Sequence, residues 1–287
     1  MKIAITGAAG LFGHGLVQIF GKRHTVFPMG RAEADITKYE EVRSAVRGFC
    51  PDVVVHAAAI PSPDVCEQDP SLAYLVNVHG TRHVVEAARE TGATVVYISS
   101  DAVFDGEKQA PYQETDPPNP PTVYGRTKLR GEKIVSTLPR YWIFRVSVLF
   151  GPGKANFIDK GLRKMKAGED YVVASDQTGG ALYTLDGAEK ILEVVESGRC
   201  GLYHLTNGGT CTRYELAKYA AEKAGLDLRH LVGIPSNRMG RPAKRLKYAV
   251  MEMRALADAG FSMLRPWQAA LDDYLGTVLS LGADVVT

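Results

Sequence analysis

Thr6-Gly7-Ala8-Ala9-Gly10-Leu11-Phe12-Gly13 follows a short apolar run, Ile3-Ala4-Ile5, and opens a helical pattern. Strand, glycine-rich turn and helix in that order form a phosphate-binding turn of the dinucleotide type. Gly7 allows the tight turn, Gly10 lets the backbone approach a pyrophosphate, and Gly13 permits close packing of helix on strand. Leu11 and Phe12 begin the helix, where free N–H groups and the positive dipole end favour an anion. The spacing is GxxGxxG rather than GxGxxG. The bland alternative is a glycine-rich turn with no ligand, but its place after the first strand of an α/β chain favours a cofactor.

Outward from that turn, short β-branched runs alternate with helical stretches, the pattern of a parallel sheet covered on both faces. Strands are expected at 2–6, 24–27, 52–56, 94–98 and 142–146, each a near-continuous apolar run as a strand buried on both faces should be. Asp69 as N-cap, Pro70 at the first helical position and Gly92 just past the end delimit one helix. Right-handed crossovers then give an α/β fold, a doubly wound parallel Rossmann sheet with its ligand crevice at the strands' carboxyl ends. Residues 111–121 hold five prolines and read as an irregular loop. Helices are expected at 157–167 and 212–224, and a further strand of the main sheet at 201–206. The resulting division is a dinucleotide-binding core over 1–150, re-entered at about 176–206, and a smaller C-terminal substrate lobe made of 151–175 and 207–287.

The second strand ends Phe27-Pro28-Met29-Gly30-Arg31, with a guanidinium where NAD sites usually carry an acid. Arginine can grip a 2′-phosphate in bidentate fashion, so NADP(H) is favoured over NAD(H), against the alternative of a solvated loop arginine. Tyr124-Gly-Arg-Thr-Lys128 starts a helix after the proline loop, which puts Tyr124 and Lys128 on one face. An ammonium there is expected to draw the phenol's pKa down toward the working range for proton transfer. Ser99-Ser100 ends the fourth strand at the carboxyl edge, where a hydroxyl can stabilise charge on a substrate oxygen. Glycine turn, strand-end serines and YxxxK in that order point to an oxidoreductase acting on a carbonyl or hydroxyl carbon through Ser100, Tyr124 and Lys128.

These residues resemble the extended short-chain dehydrogenase/reductase family, and within it the dTDP-4-dehydrorhamnose reductases, over nearly the whole chain. Asp35-Ile36 is similar to that family's adenine-contacting pair, and Asp52-Val-Val-Val-His-Ala57-Ala58-Ala59 to its third strand and following loop. Asn77 stands where the family has its structural and catalytic asparagine. Tyr97-Ile-Ser-Ser-Asp-Ala-Val-Phe-Asp-Gly106 and Tyr124 to Lys128 with Gly131-Glu132 carry the most characteristic match. The resemblance implies Ser100, Asp101 and Ala102 at the substrate, Tyr124 as acid, Lys128 as its partner, and Arg241-Pro242 in the lobe. The substrate side departs from the pattern in three places: Ala102 replaces an aromatic, no Trp follows Arg145, and Ala181-Leu182 replaces Pro-Thr.

Bulk properties bound the rest. A net charge of +2 gives no support to a nucleic-acid or membrane-surface role. No stretch approaches the roughly 18 apolar residues of a membrane span. Cys50, Cys66, Cys200 and Cys211 are scattered without metal spacing, and the seven histidines do not cluster, so no metal and a reducing, cytoplasmic location are expected. Between Leu226 and Arg254, seven Lys/Arg face only Asp227 and Glu252. That segment, Arg241 included, suits a nucleotide-diphosphate sugar, against the alternative of a solvated basic face. A homodimer is a further expectation. The leading function is NADP(H)-dependent reduction of a keto group on a nucleotide-linked deoxysugar. The alternatives are an epimerase or dehydratase of the same family, and a catalytically silent NADP-binding regulatory subunit like that of methionine adenosyltransferase.

Overall fold

Strand β1 (Lys2–Thr6) lies inside a six-stranded sheet in the computed structural model, which describes residues 1–280. Its companions are β2 (Thr25–Met29), β3 (Val53–His56), β4 (Thr94–Ser100), β5 (Tyr141–Val146) and an outer strand, Gly201–Leu205. The order runs Gly201–Leu205, β5, β4, β3, β1, β2, and every neighbouring pair is parallel. The winding reverses between β1 and β3, so a crevice opens at their carboxyl ends.

Both faces of each strand are used, as the unbroken apolar runs require. Ile3, Ile5, Val53, Val55, Val96, Ile98 and Phe144 pack on one side with Leu16 and Phe20 of helix Leu11–Phe20 and Ile191 and Val195 of helix Thr184–Ser197. Ala4, Val54, Val95, Tyr97 and Ile143 pack on the other with helices Tyr39–Phe49, Gly80–Thr91 and Val123–Val135. Pro28 is accommodated because β2 is an edge strand, where a missing N–H costs no ladder bond.

Two local features matter for the site. Strand β4 runs on past Ile98 to Ser100, which stands at the strand's end as expected and lies beside Val146 of β5. Parallel pairing of Ser99 with Arg145 and of Ser100 with Val146 continues the strand, and the serine hydroxyls find partners in Glu132 and Asp101. The helix after Asp69 is capped as expected, with Leu72 N–H on the Asp69 carboxylate at 2.9 Å and Gly92 left-handed at φ 73°. It is interrupted by a π-helical turn, Leu75–His79, and such a turn re-aims the side chains it carries.

From Val148 onward the chain builds three small sheets, with helices Phe157–Lys166 and Arg213–Lys223 close to where they were expected. Both open on capping boxes, Asn156 with Asp159 and Thr212 with Glu215. They pack with the last helix, Trp267–Ser280, around Phe150, Ile158, Leu216, Trp267 and Tyr274. Residues 281–287 of the expected lobe lie outside the described residues. Among the described residues no helix is long and apolar enough to cross a membrane.

Candidate active site

The crevice at the carboxyl edge of the sheet is a cleft of about 1150 Å³, above the usual range for one small ligand. Its floor begins at the glycine turn. Gly7 has φ 70°, and a Cβ there would lie 2.6 Å from Ala58 N. A Cβ on Gly13 would lie 2.0 Å from the Gly7 carbonyl oxygen. Neither position tolerates a side chain, so the backbone forms a bare cradle at the start of helix Leu11–Phe20. Gly10, the N-cap, brings no side-chain cap, which leaves the first N–H groups of the helix facing the cleft.

Arg31, Asp35 and Ile36 line one end of the cleft, and Ala57, Ala58 and Ala59 line its wall. Arg31 is largely exposed, its Nε 3.4 Å from Asp35. Asp35 accepts from the Thr37 N–H at 3.0 Å and the Thr37 hydroxyl at 2.8 Å, bonds that hold its carboxyl below the usual range. Its carboxylate is therefore engaged with the protein itself.

At the other end stand Ser100, Asp101, Ala102, Tyr124 and Lys128. Thr122 caps the Tyr124 helix by accepting from Gly125 N–H at 3.1 Å. A Cβ on Gly125 would lie 2.1 Å from the Ala102 carbonyl oxygen, so glycine lets this helix sit hard against the end of β4. The Ser100 hydroxyl donates to Asp101 at 2.9 Å and accepts from the Ala102 N–H at 3.2 Å. Lys128 is buried, with its Nζ 4.1 Å above the centre of the Tyr97 ring.

The expected electrostatics are corrected here. Burial, not the ammonium, dominates Tyr124 and pushes its phenol well above the ordinary tyrosine range, with the Ser100 hydroxyl opposing. Lys128 is brought down to about 7 by the same loss of water, with Glu132 opposing. Removing water penalises the charged form of each group, and for the phenol this outweighs what its neighbours do. Tyr124 is thus a protonated phenol, fitted to give a proton rather than hold a negative charge.

The profile of one family, described as the RmlD substrate binding domain, matches residues 1–280. The chain belongs to that family. It is 37% identical over 278 residues to a dTDP-4-dehydrorhamnose reductase of Streptomyces griseus, covering 94% of this chain and 91% of that one. It is 34% identical over 270 residues to a dTDP-4-keto-6-deoxy-D-glucose reductase of Streptomyces niveus, covering 93% and 94%. The crystal structure of a Bacillus anthracis dTDP-4-dehydrorhamnose reductase in complex with NADP superposes with a TM-score of 0.92 at 31% identity, covering 96% of this chain and 99% of that one. The fold is accordingly that of the extended short-chain dehydrogenases/reductases, and the chain is close to the dTDP-4-dehydrorhamnose reductases.

Several residues of this RmlD-family chain sit differently from a reading of the sequence. Asn77 does not line the cleft. It is buried in the π turn, where its oxygen accepts from Ile60 N–H at 2.8 Å and its amide donates to the Thr127 hydroxyl at 3.0 Å. Thr127 in turn donates to the Tyr124 carbonyl at 2.7 Å, so Asn77 clamps the Tyr124 helix from behind. The basic segment divides. Arg241, Lys244 and Arg245 line the cleft, whereas Arg229, Arg238, Lys247 and Arg254 do not. Arg245 is already paired with Asp64 at 2.5 Å, which ties its segment to the short helix Pro63–Gln68 after β3. Arg241 is exposed at the cleft.

Arg213 escaped the sequence reading, and Gln177, in an Asp176-Gln177 pair similar to the family's, was not counted among the site residues. Both line the cleft, and Arg213 Nη1 and Gln177 Nε2 are buried without a hydrogen-bond partner. Buried donors of this kind are costly unless something accepts from them, so they fit an anionic or carbonyl-bearing ligand. The capping box Thr212…Glu215 was a signal that a helix starts at Arg213, but not that its first side chain enters the cleft. Behind the site, Glu132 accepts from Arg145 through two bonds of 2.9 and 2.8 Å and from Ser99 at 2.5 Å, a buried knot joining β4, β5 and the Tyr124 helix.

Proposed function

We propose that this chain is an NADPH-dependent reductase of the keto group of a dTDP-linked deoxysugar. The observation that carries the reading is one cleft holding the glycine cradle, the Ser100–Tyr124–Lys128 group and Arg213, whose buried Nη1 has no hydrogen-bond partner. The relatives' names, and the NADP bound to the Bacillus anthracis protein, agree with it. The same proposal makes 1–150 with 176–206 the cofactor-binding core and the remaining segments the substrate lobe. It also places the protein in the cytoplasm as a homodimer, to be checked by sedimentation.

The bare cradle at Gly7, Gly10 and Gly13 fits a dinucleotide pyrophosphate, with Leu11 and Phe12 N–H groups facing it and Ala57 to Ala59 as wall. Arg31 is the candidate ligand of a 2′-phosphate, with Asp35 and Ile36 beside the adenine. Bound there, NADPH supplies a hydride for the keto carbon. Ser100 polarises the keto oxygen, and Tyr124 hands its phenolic proton to the alkoxide as it forms. Lys128 holds the ribose edge of the site, and Asn77 keeps the helix in place. Arg213 and Arg241, with Gln177, grip the sugar nucleotide's diphosphate; Asp101 and Ala102 flank the sugar.

The test is NADPH consumption with dTDP-4-keto-6-deoxy sugars. Stoichiometric oxidation of NADPH to NADP supports the reductase. Turnover with no net change in cofactor points to the epimerase or dehydratase reading, and inertness toward every sugar nucleotide despite NADPH binding points to the regulatory subunit.

A further inference from the structure

The Ser100 hydroxyl has one proton and two lone pairs, and its neighbours compete for them. It accepts from Ala102 N–H at 3.2 Å and lies 2.9 Å from Asp101 Oδ1, and its nearness helps to hold the Tyr124 phenol down against burial. The Ser100–Asp101 contact contains a single proton, supplied by one side or the other. If Asp101 is a carboxylate it is acceptor-only, so Ser100 must donate to it and has nothing left to donate to a keto oxygen. If Asp101 is the neutral acid, its own O–H donates to Ser100, and the serine proton is free to point into the cleft. A developing alkoxide is best served by two donors, Tyr124 and Ser100.

We propose that the reducing form of the protein carries a proton on Asp101, which makes Asp101 the positioning residue for the Ser100 hydroxyl. The proposal rests on the reductase reading, in that it assumes a keto oxygen beside Ser100. The surroundings of Asp101 support it. Burial raises its carboxyl above the ordinary value, opposed by the Arg213 guanidinium from helix Arg213–Lys223 and by bonds from Ser100 and Ala102. Tyr124, from helix Val123–Val135, faces it as an uncharged phenol. Among the described residues, Arg213 is the cation whose pull on Asp101 opposes its burial, and its Nη1 is a buried donor without a partner. An anion that engages Arg213 weakens its hold on a negative Asp101, so diphosphate binding and protonation of Asp101 favour each other.

Two measurements test this. The first is calorimetry of dTDP binding to the NADPH-loaded protein, in buffers of different ionisation enthalpy, across the pH range in which the protein is folded. The native protein takes up a proton, most strongly where Asp101 titrates; Asp101→Asn, whose amide cannot change charge, does not. Equal proton counts in the two proteins overturn the proposal. The second is the pH profile of kcat/KM. In the native enzyme it falls about tenfold per pH unit above the pKa of Asp101. That limb disappears in Asp101→Asn, and also in the slower Ser100→Ala, because Asp101 acts only through Ser100. Persistence of the limb in either variant overturns the proposal, and Ser100→Ala serves if Asp101→Asn does not fold. A native protein that reduces no keto sugar defeats the reductase reading instead, and the calorimetric comparison still decides the matter of Asp101.

Discussion

Replacing Tyr124 by Phe removes one hydroxyl and little else. The ring packs beside Ile60, Cys66, Ala73 and Val123, contacts that phenylalanine keeps, so stability is expected to change by less than about 1 kcal/mol. Because burial holds the phenol far above the ordinary range, Tyr124 is fully protonated at neutral pH and every native molecule carries the transferable proton. Its loss therefore removes the whole general-acid contribution, not a fraction of it. That contribution is typically 10²–10⁴-fold, or about 2.7–5.5 kcal/mol of barrier at 1.36 kcal/mol per tenfold. Ser100 remains as a single donor and prevents a complete loss. The assay is steady-state NADPH oxidation with a dTDP-4-keto-6-deoxy sugar, alongside the melting temperature and the NADPH dissociation constant. A kcat within about threefold of native, with cofactor affinity unchanged, would show that the acid has been placed on the wrong residue.

Other positions make further expectations. NADPH should bind more tightly than NADH, and Arg31→Asp should reverse or abolish the preference; equal dissociation constants in the native protein refute the role given to Arg31. Arg213→Ala and Arg241→Ala should each raise the sugar-nucleotide KM on the order of tenfold or more while leaving NADPH affinity alone, since a charge-assisted bond is worth roughly 1.5–3 kcal/mol; an unchanged KM removes that residue from the diphosphate site. Glu132→Ala leaves Arg145 buried without its carboxylate and should cost about 3–5 kcal/mol in denaturant unfolding. Lys128, at about 7 when folded against 10.5 unfolded, binds fewer protons in the native state between those values. Stability from this residue therefore rises with pH from about 7 to about 10.5, and Lys128→Met should abolish that rise in a melting-temperature series.

Much of the fold was legible because its signals are local. Gly7 and Gly13 are required by contacts within one βα turn, and the strands declare themselves through apolar runs that need burial on both faces. The spacing of Tyr124 and Lys128 needs only the period of a helix. The end of β4 was less legible, since the strand pairing of Ser99 and Ser100 depends on Arg145 and Val146 of β5, far along the chain.

What the sequence by itself determined was the order of elements, the cradle and the residue types that meet in the cleft, all set by short-range sterics and periodicity. Tertiary structure alone decided their electrostatic state and their company. The expectation of a lowered Tyr124 pKa failed because it counted one nearby charge and not the water that packing removes from both groups. Asn77, in the π turn, is held by bonds to Ile60 and Thr127 rather than lining the cleft. Arg213 enters the cleft, and four of the seven cations of the basic segment stay outside it, because the path of the chain after β5 decides which charges face inward. Burial and charge pairing between residues a hundred positions apart depend on how whole helices are laid against the sheet, and no window along the chain carries that information.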